Sequence, residues 1–310
     1  MELKSIFLDG RNILRSGWRF SVFFAAFVFL AMAFGGAAKI LLASANIPAG
    51  QRSMLFLMIN AIPLILALLV GWLCGKLFEG LPFRALGAWF TKFWLEHFAF
   101  GMIIGSASIG LAVLIAVAMG GLRFIPNPDH GSTEILASLS VSLVVFGVAA
   151  AFEEALFRGY ILQTFNRSGL AWLAIILTSS FFGIVHLGNP SAGAISTINT
   201  VLAGIWFGVA YLKTRDLWFV WSLHLIWNWM QGAVFGIEVS GLTDITIAPL
   251  LKEIDKGPTW LTGESYGIEG GIACTIAIIV STAIIYFLPI LKPSAEMLAL
   301  TSKKSTESES

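Results

Sequence analysis

Residues 136–163 read LASLSVSLVVFGVAAAFEEALFRGYILQ, and this stretch decides the fold class. A membrane-spanning helix needs about 20 predominantly apolar residues at about 1.5 Å rise each, and the stretch meets that requirement. The charged residues within it are Glu153, Glu154 and Arg158. A charge at bilayer depth costs a few kcal/mol or more, so such residues mark a functional site by default. The stretch therefore predicts a membrane helix that carries function.

The composition extends this conclusion to the whole chain. Hydrophobic residues make up 57% of the 310 positions and charged residues 12%, whereas about 25% charged residues is usual for soluble domains. The formal net charge of +1 gives no basic field, so we expect no nucleic-acid partner. We predict an all-α, polytopic helical bundle in the lipid bilayer of the cell membrane.

Eight windows are long and apolar enough for membrane helices. They lie at residues 20–43, 54–75, 95–119, 136–163, 170–187, 193–212, 217–236 and 270–291. The sixth contains Ser196, Thr197, Asn199 and Thr200, so we expect it inside the bundle. We expect one integrated membrane domain with three parts: N-terminal helices at 1–134, a core at 135–236, and a long loop, last helix and polar tail at 237–310.

Lys and Arg residues fall mainly in alternate loops, which predicts the orientation of the chain. One set of segments contains Lys4, Arg11, Arg15, Arg19, Lys76, Arg84, Lys92, Arg158, Arg167, Lys213, Arg215, Lys292, Lys303 and Lys304. The other set contains Arg52, Arg123, Lys252 and Lys256. We therefore expect both termini in the cytoplasm and the loop 237–269 on the opposite side. We also expect an uncleaved first span, an interfacial connector at 76–94 and a disordered tail at 303–310.

The spacing of the three charged residues on the fourth window separates their roles. Residues four apart share a helix face, whereas neighbours point about 100° apart, so Glu154 pairs with Arg158 and Glu153 faces elsewhere. A carboxylate left without a cationic partner suits a general base. The alternative is a structural ion pair that holds helices in register.

A histidine on the fifth window is placed to meet Glu153. His186 and Glu153 are equally far from the turn near Gly169, so an antiparallel hairpin would bring them side by side. The small residues Gly183, Ser179 and Ser180 would let these two helices approach closely.

His224 and Asn228 are four residues apart on the seventh window and therefore share a face. Together they supply donors suited to an oxyanion, or two ligands suited to a metal. Counting residues from the loops places His224 nearer to the cytoplasmic edge than Glu153, by roughly 10 Å at the helical rise. We expect a protruding turn after the fourth window, or tilted helices, to remove that mismatch.

Other residues with reactive or aromatic side chains receive no functional role. Cys74 and Cys274 lie in apolar runs without a CxxC spacing, so we expect buried apolar residues. His97 is expected at a membrane interface and His130 in a loop. Five tryptophans are expected to mark interfaces and core packing: Trp206, Trp218, Trp221, Trp227 and Trp229.

Three short motifs follow one another on separate windows. They are EExxxR at 153–158, FxxxH at 182–186 and HxxxN at 224–228. In this order they resemble the CPBP intramembrane protease family, which includes type II CAAX prenyl endopeptidases and bacterial abortive-infection or bacteriocin-processing proteins. Several outer segments, such as HLGNP at 186–190 and PTWLTGESYGIEGG at 258–271, resemble those of bacterial members.

The resemblance implies an intramembrane endopeptidase that cleaves a membrane-associated or lipidated peptide or a membrane-protein substrate. It implies that Glu153 activates a water together with His186. It further implies that His224 and Asn228 stabilise the oxyanion, while Glu154 and its arginine partner support the site. The family is regarded as metalloproteases, so zinc stays possible, held by Glu153, His186 and His224. The chain has no HExxH motif, and a metal-free mechanism fits equally well.

Two other functional classes fit the same residues. In a proton-coupled transporter or channel, Glu153, His186 and His224 would relay protons across the bilayer. A non-catalytic immunity or scaffold protein would instead bind a partner through its membrane face. We see no internal repeat of the kind that many transporters have.

Overall fold

The computed structural model describes residues 3–10, 12–43, 52–243 and 245–302. The predicted helical polytopic bundle is confirmed. Within those ranges, five segments are long and apolar enough to cross a membrane by length and composition: Ser16–Gly35, Ile59–Glu79, Trp94–Ala118, Ser132–Arg167 and Ala194–Thr214. The predicted disordered tail, with Lys303 and Lys304, and the basic residue Arg11 lie outside the described residues.

Helices occupy all eight predicted windows, with short helices and one small sheet between them. The α-helices are α1 (Leu3–Phe7), α2 (Ser16–Ala43), α3 (Arg52–Glu79), α4 (Trp94–Ala118), α5 (Ser132–Glu154), α6 (Leu162–Arg167), α7 (Ala171–His186), α8 (Ala194–Thr214), α9 (Leu217–Trp229), α10 (Thr259–Thr262), α11 (Ile272–Phe287) and α12 (Ala295–Thr301). The strands are β1 (Leu122–Pro126) and β2 (Leu251–Asp255), and 3₁₀ turns occur at Phe83–Leu86, Glu264–Tyr266 and Ile268–Gly270.

The fourth membrane helix is longer than predicted and is not regular throughout. α5 continues through a π-helical segment, Ala155–Ile161, into α6. A second π-helical segment, Met230–Val234, extends α9. The sequence analysis predicted neither, because a π turn adds a residue without changing the apolar composition.

Glycines set the closest helix contacts. A methyl group on Gly101 of α4 would lie 2.0 Å from Ser222 Oγ and 2.4 Å from the carbonyl oxygen of Phe219, both on α9. On α8, a methyl group on Gly204 would lie 2.6 Å from Ser179 Cα. The small face of α7 is therefore turned toward α8, and the prediction that it faces the preceding helix was wrong.

The polar sixth window, α8, lies inside the bundle as expected. Asn199 Nδ2 donates to the carbonyl oxygens of Glu269 at 2.8 Å and Gly271 at 2.9 Å. Thr275 Oγ1 donates to Asn199 Oδ1 at 2.6 Å. Neighbouring elements thus satisfy the polar side chains of this helix, as they must where water is scarce.

The sequence analysis predicted no sheet, yet β1 and β2 pair antiparallel, with Leu122 opposite Asp255 and Pro126 opposite Leu251. These short strands join the loop after α4 to the loop after α9. We name the end of the bundle that holds them the capped face; it comprises the segments 119–131, 187–193 and 235–271. A hydrogen bond from Asn189 Nδ2 to the carbonyl oxygen of Ser240, 3.1 Å, connects the segment 187–193 to the segment 235–271.

The opposite end, which we name the basic face, comprises the segments 3–15, 80–93, 168–170, 215–216 and 288–302. Arg19 and Arg167 both pair with Glu79, with 2.8 Å between Arg167 Nη2 and Glu79 Oε2. Arg84 Nη1 lies 2.9 Å from Glu296 Oε1. The structure therefore gathers the loops of each predicted side at one end of the bundle.

Candidate active site

The centre of the site is a fully buried ion pair. Arg158 Nη1 donates to Glu154 Oε1 at 3.1 Å, and both side chains have no exposed surface. Arg158 Nη2 donates to the carbonyl oxygen of Gly204 at 2.9 Å. The guanidinium also lies over the rings of Phe182 and Phe207, 5.3 Å from each centroid, a favourable cation–π geometry.

His224 connects this pair to the second glutamate. Its Nδ1 donates to Glu154 Oε1 at 2.9 Å, and its Nε2 lies 3.8 Å from Glu153 Oε2. A carboxylate only accepts hydrogen bonds, so the ring carries a proton on Nδ1. Phe207 stacks on the imidazole with 4.4 Å between centroids, which fixes the plane of the ring. The sequence had predicted Arg158 alone as the partner of Glu154.

Glu153 faces a cavity instead of this buried pair. Its side chain is 24% exposed, whereas that of Glu154 is fully buried. The cavity measures about 150 Å³ and is also lined by His186, His224 and Asn228. This volume is enough to hold water. The structure thus brings the four predicted catalytic residues to one cavity.

His186 and Asn228 present polar atoms to this cavity in different ways. His186 Nδ1 donates to the carbonyl oxygen of Phe182 at 2.7 Å, which leaves Nε2 as the ring nitrogen available to the cavity. Among the described residues, His186 makes no ion pair with Glu153 within 4.0 Å, and the amide of Asn228 has no hydrogen-bond partner. Glu153 and His186, which were predicted to meet, thus line the same cavity without an ion pair.

Residues 135–230 match the family model described as "Type II CAAX prenyl endopeptidase Rce1-like". We name these residues the Rce1-like segment. The Rce1-like segment contains the four predicted catalytic residues and the buried ion pair, and the resemblance predicted from the three motifs is confirmed. At the family level the match supports a CAAX-type intramembrane endopeptidase and a multi-pass membrane protein.

A second comparison reaches beyond the Rce1-like segment. The chain is 26% identical over 162 residues to "Uncharacterized protein YyaK" of Bacillus subtilis (strain 168). That alignment covers 50% of this chain and 48% of YyaK. The chain therefore spans about half the length of this curated relative.

Glu269, outside the Rce1-like segment, also lines the cavity, and the sequence analysis gave it no role. Its Oε2 accepts hydrogen bonds from Ser240 N and Ser240 Oγ, each at 2.7 Å. Its Oε1 accepts from Trp227 Nε1 at 3.2 Å. These bonds fasten the long loop to α9. The available signal was the segment PTWLTGESYGIEGG, which contains Glu269 and resembled bacterial relatives.

Two tryptophans assigned to interfaces and packing, Trp206 and Trp227, line the cavity as well. Cys74 and Cys274 are buried, as expected, and Cys274 also lines the cavity. The cavity wall of the Rce1-like segment is therefore more aromatic than its motifs alone indicate.

His97 was expected at a membrane interface without a role, and the structure gives its side chain a bonded partner. Its side chain is buried, and its Nδ1 is bonded to Asp216 Oδ2. Asp216 caps α9 by accepting a hydrogen bond from Phe219 N at 3.2 Å. The pair thus fixes the start of the helix that carries His224. An Asp directly before a helical window was the sequence signal for this cap.

The donor set of the Rce1-like segment does not fit a metal ion. Across the described residues, no group of three or more His, Cys, Asp or Glu side chains is placed to hold a metal ion. One nitrogen of His224 is already bonded to Glu154, which leaves Nε2 as its one nitrogen for a metal. We therefore derive no step through a metal.

Proposed function

We propose that this chain is an intramembrane endopeptidase that hydrolyses a peptide bond of a membrane-associated or lipidated peptide, using a water activated by Glu153. The observation that carries the proposal is the position of Glu153. It is a partly exposed carboxylate of a cavity large enough for water, next to a glutamate whose charge is already paired. The Rce1-like match supports peptide hydrolysis as the reaction class.

The reaction begins with the water. Glu153 accepts a proton from it, and the resulting hydroxide attacks the carbonyl carbon of the scissile bond. His186 helps to orient the water through Nε2, because its Nδ1 is occupied by the Phe182 carbonyl oxygen. The water fits between these side chains because they line one cavity without bonding to each other.

The tetrahedral oxyanion needs donors that are in place beforehand. Asn228 offers an amide N–H that has no partner among the described residues. His224 offers Nε2–H when its ring is doubly protonated, since 3.8 Å from Glu153 is too long for a hydrogen bond. The site holds two carboxylates and one guanidinium, so a protonated His224 would balance its charge. When the C–N bond breaks, the amine nitrogen takes the proton held by Glu153, and an acid and an amine leave.

The test is a comparison of Glu153→Gln with the wild-type chain, reconstituted in liposomes and in cells. Loss of a general base lowers the rate by typically 10²–10⁴-fold, and we expect cleavage products in membrane peptide profiles to fall accordingly. In ¹⁸O-enriched water, the wild-type fragment with the new C-terminus should carry the label in its new carboxyl group, and the amine fragment should not.

Glu134→Gln is the matched control, because Glu134 lies on the same helix with a side chain 65% exposed at its other end. Its activity should equal that of the wild type. Thermal unfolding in detergent checks that both variants fold. Full cleavage by a folded Glu153→Gln protein would refute the proposal, and ion flux that depends on Glu153 would favour the transporter reading.

A further inference from the structure

The cavity does not lie midway between the two faces of the bundle. His186 is the last residue of α7, where that helix reaches the capped face. Asn189, Ser240 and Glu269, in the loops of the capped face, line the same cavity. Every loop segment that reaches the cavity therefore belongs to this face.

The other end of the cavity is closed by buried side chains. Toward the basic face lie Glu154 and Arg158, which have no exposed surface. Further along α8 in the same direction, Phe207 and Tyr211 are also buried. Exposure thus increases from this floor through Glu153 to the loops of the capped face, which makes the capped face the side of access.

The charges identify which face meets the cytoplasm. The chain segments at the basic face carry Lys4, Arg15, Lys76, Arg84, Lys92, Arg167, Lys213, Arg215 and Lys292. The loops of the capped face carry Arg123, Lys252 and Lys256. Cytoplasmic loops hold an excess of Lys and Arg, so the basic face is cytoplasmic and the capped face is extracytoplasmic.

We propose that the cavity takes its substrate from the extracytoplasmic side, so that its substrates are peptide segments presented at the outer surface of the membrane. That the bound peptide is a substrate rests on the proposed function. The side from which the cavity is reached rests on geometry and charge alone. It excludes peptides confined to the cytoplasmic surface as substrates, whatever their lipid anchor.

The test is thiol accessibility in a variant whose two cysteines, Cys74 and Cys274, are replaced by alanine. Lys256→Cys reports the capped face, and Lys92→Cys reports the basic face; both positions are exposed lysines, which makes them a matched pair. Asn189→Cys reports the cavity, and Leu242→Cys is a second cavity position if the first variant folds poorly. A membrane-impermeant maleimide is added to intact cells and again after permeabilisation.

We expect Lys256→Cys and the cavity cysteine to react in intact cells, and Lys92→Cys to react only after permeabilisation. The reverse pattern would overturn the inference, and so would a cavity cysteine that reacts only after permeabilisation. The same labelling in a Glu153→Gln background separates the two proposals. Loss of activity in this variant leaves the labelling unchanged, so the side of access is tested separately from the mechanism. Reversed labelling of a protein that still cleaves peptides would overturn only the side of access.

Discussion

Glu154 is the residue on which the site depends most, although it does not face the cavity. It accepts from both Arg158 and His224, and so couples the fourth membrane helix to the seventh. Its second oxygen, Oε2, has no hydrogen-bond partner among the described atoms. The residue therefore balances the charge of Arg158 while it holds the imidazole that faces Glu153.

We predict that Glu154→Leu destabilises the protein by about 3–5 kcal/mol, because it leaves the guanidinium of Arg158 buried without a counter-charge. The double variant Glu154→Leu with Arg158→Met should be more stable than the single variant, since it removes both charges. Thermal unfolding in detergent measures the difference. Equal stability of the two variants would show that the pair does not act as a unit.

At the scale of the residue, the sequence predicted the relations between side chains of the same helix. The four-residue spacing placed Arg158 beside Glu154, and the same rule placed Asn228 on the face of His224. The sequence could not predict the bond between His224 and Glu154, because the rotation of one helix relative to another depends on packing. The buried pair of His97 and Asp216 was missed for the same reason.

At the scale of the element, the contact between α4 and α9 determines where His224 and Asn228 lie. Gly101 and Gly105 form a small-xxx-small pair on α4, a pattern that permits close helix approach. A methyl group on Gly105 would lie 2.4 Å from Ile226 Cγ2 and 2.7 Å from the carbonyl oxygen of Leu223. A residue larger than glycine at position 101 or 105 of α4 would therefore clash with α9.

We predict that Gly101→Ala destabilises the bundle by about 1–3 kcal/mol through overpacking and displaces α9. Its activity should fall as well, since α9 carries three of the residues that line the cavity. Gly110→Ala on the same helix is the control, because a methyl group there meets nothing within 4 Å. It should be neutral or stabilising by about 0.5–1 kcal/mol, the usual gain of Gly to Ala in a helix. Equal unfolding temperatures for the two variants would contradict the assigned contact.

The membrane helices were predictable because length and apolar composition suffice to identify them. Strands β1 and β2 were not, because two five-residue segments far apart in sequence pair only once the bundle brings their loops together. The orientation of α7 failed for a related reason. Its small residues indicate close packing without naming the partner helix.

At the scale of the whole molecule, the sheet holds two distant loops of the capped face together. It also contains a carboxyl group, that of Glu253, whose surroundings disfavour the ionised form. Burial, together with the neighbouring carboxylates Glu238 and Asp255, raises the pKa of Glu253 to about 8. Deprotonation is therefore harder in the folded protein than in the unfolded chain, whose glutamate pKa is about 4.3. Below about pH 4 this carboxyl group costs the folded protein no stability. The free energy of unfolding then declines as the pH rises toward 8.

We predict that Glu253→Gln removes this dependence. The wild type should lose thermal stability between pH 5 and pH 9 relative to the variant, and the two should be closest at the acidic end. Glu264→Gln, at an exposed carboxylate of the same face, is the control and should follow the wild type. An unchanged pH profile for Glu253→Gln would contradict the raised pKa.

The two π-helical segments have a consequence for how this chain tolerates insertions and deletions. One begins directly after Glu154 and the other shortly after Asn228, so each of these two helices carries a surplus residue next to side chains that line or support the cavity. Deleting one residue there would let the helix rewind into regular α form, and because the lost residue is the surplus one, the two flanks would keep their relative orientation. A residue lost from the regular part of α5 would instead rotate everything on one side of the cut by about 100°, while leaving the hydropathy of the span almost unchanged.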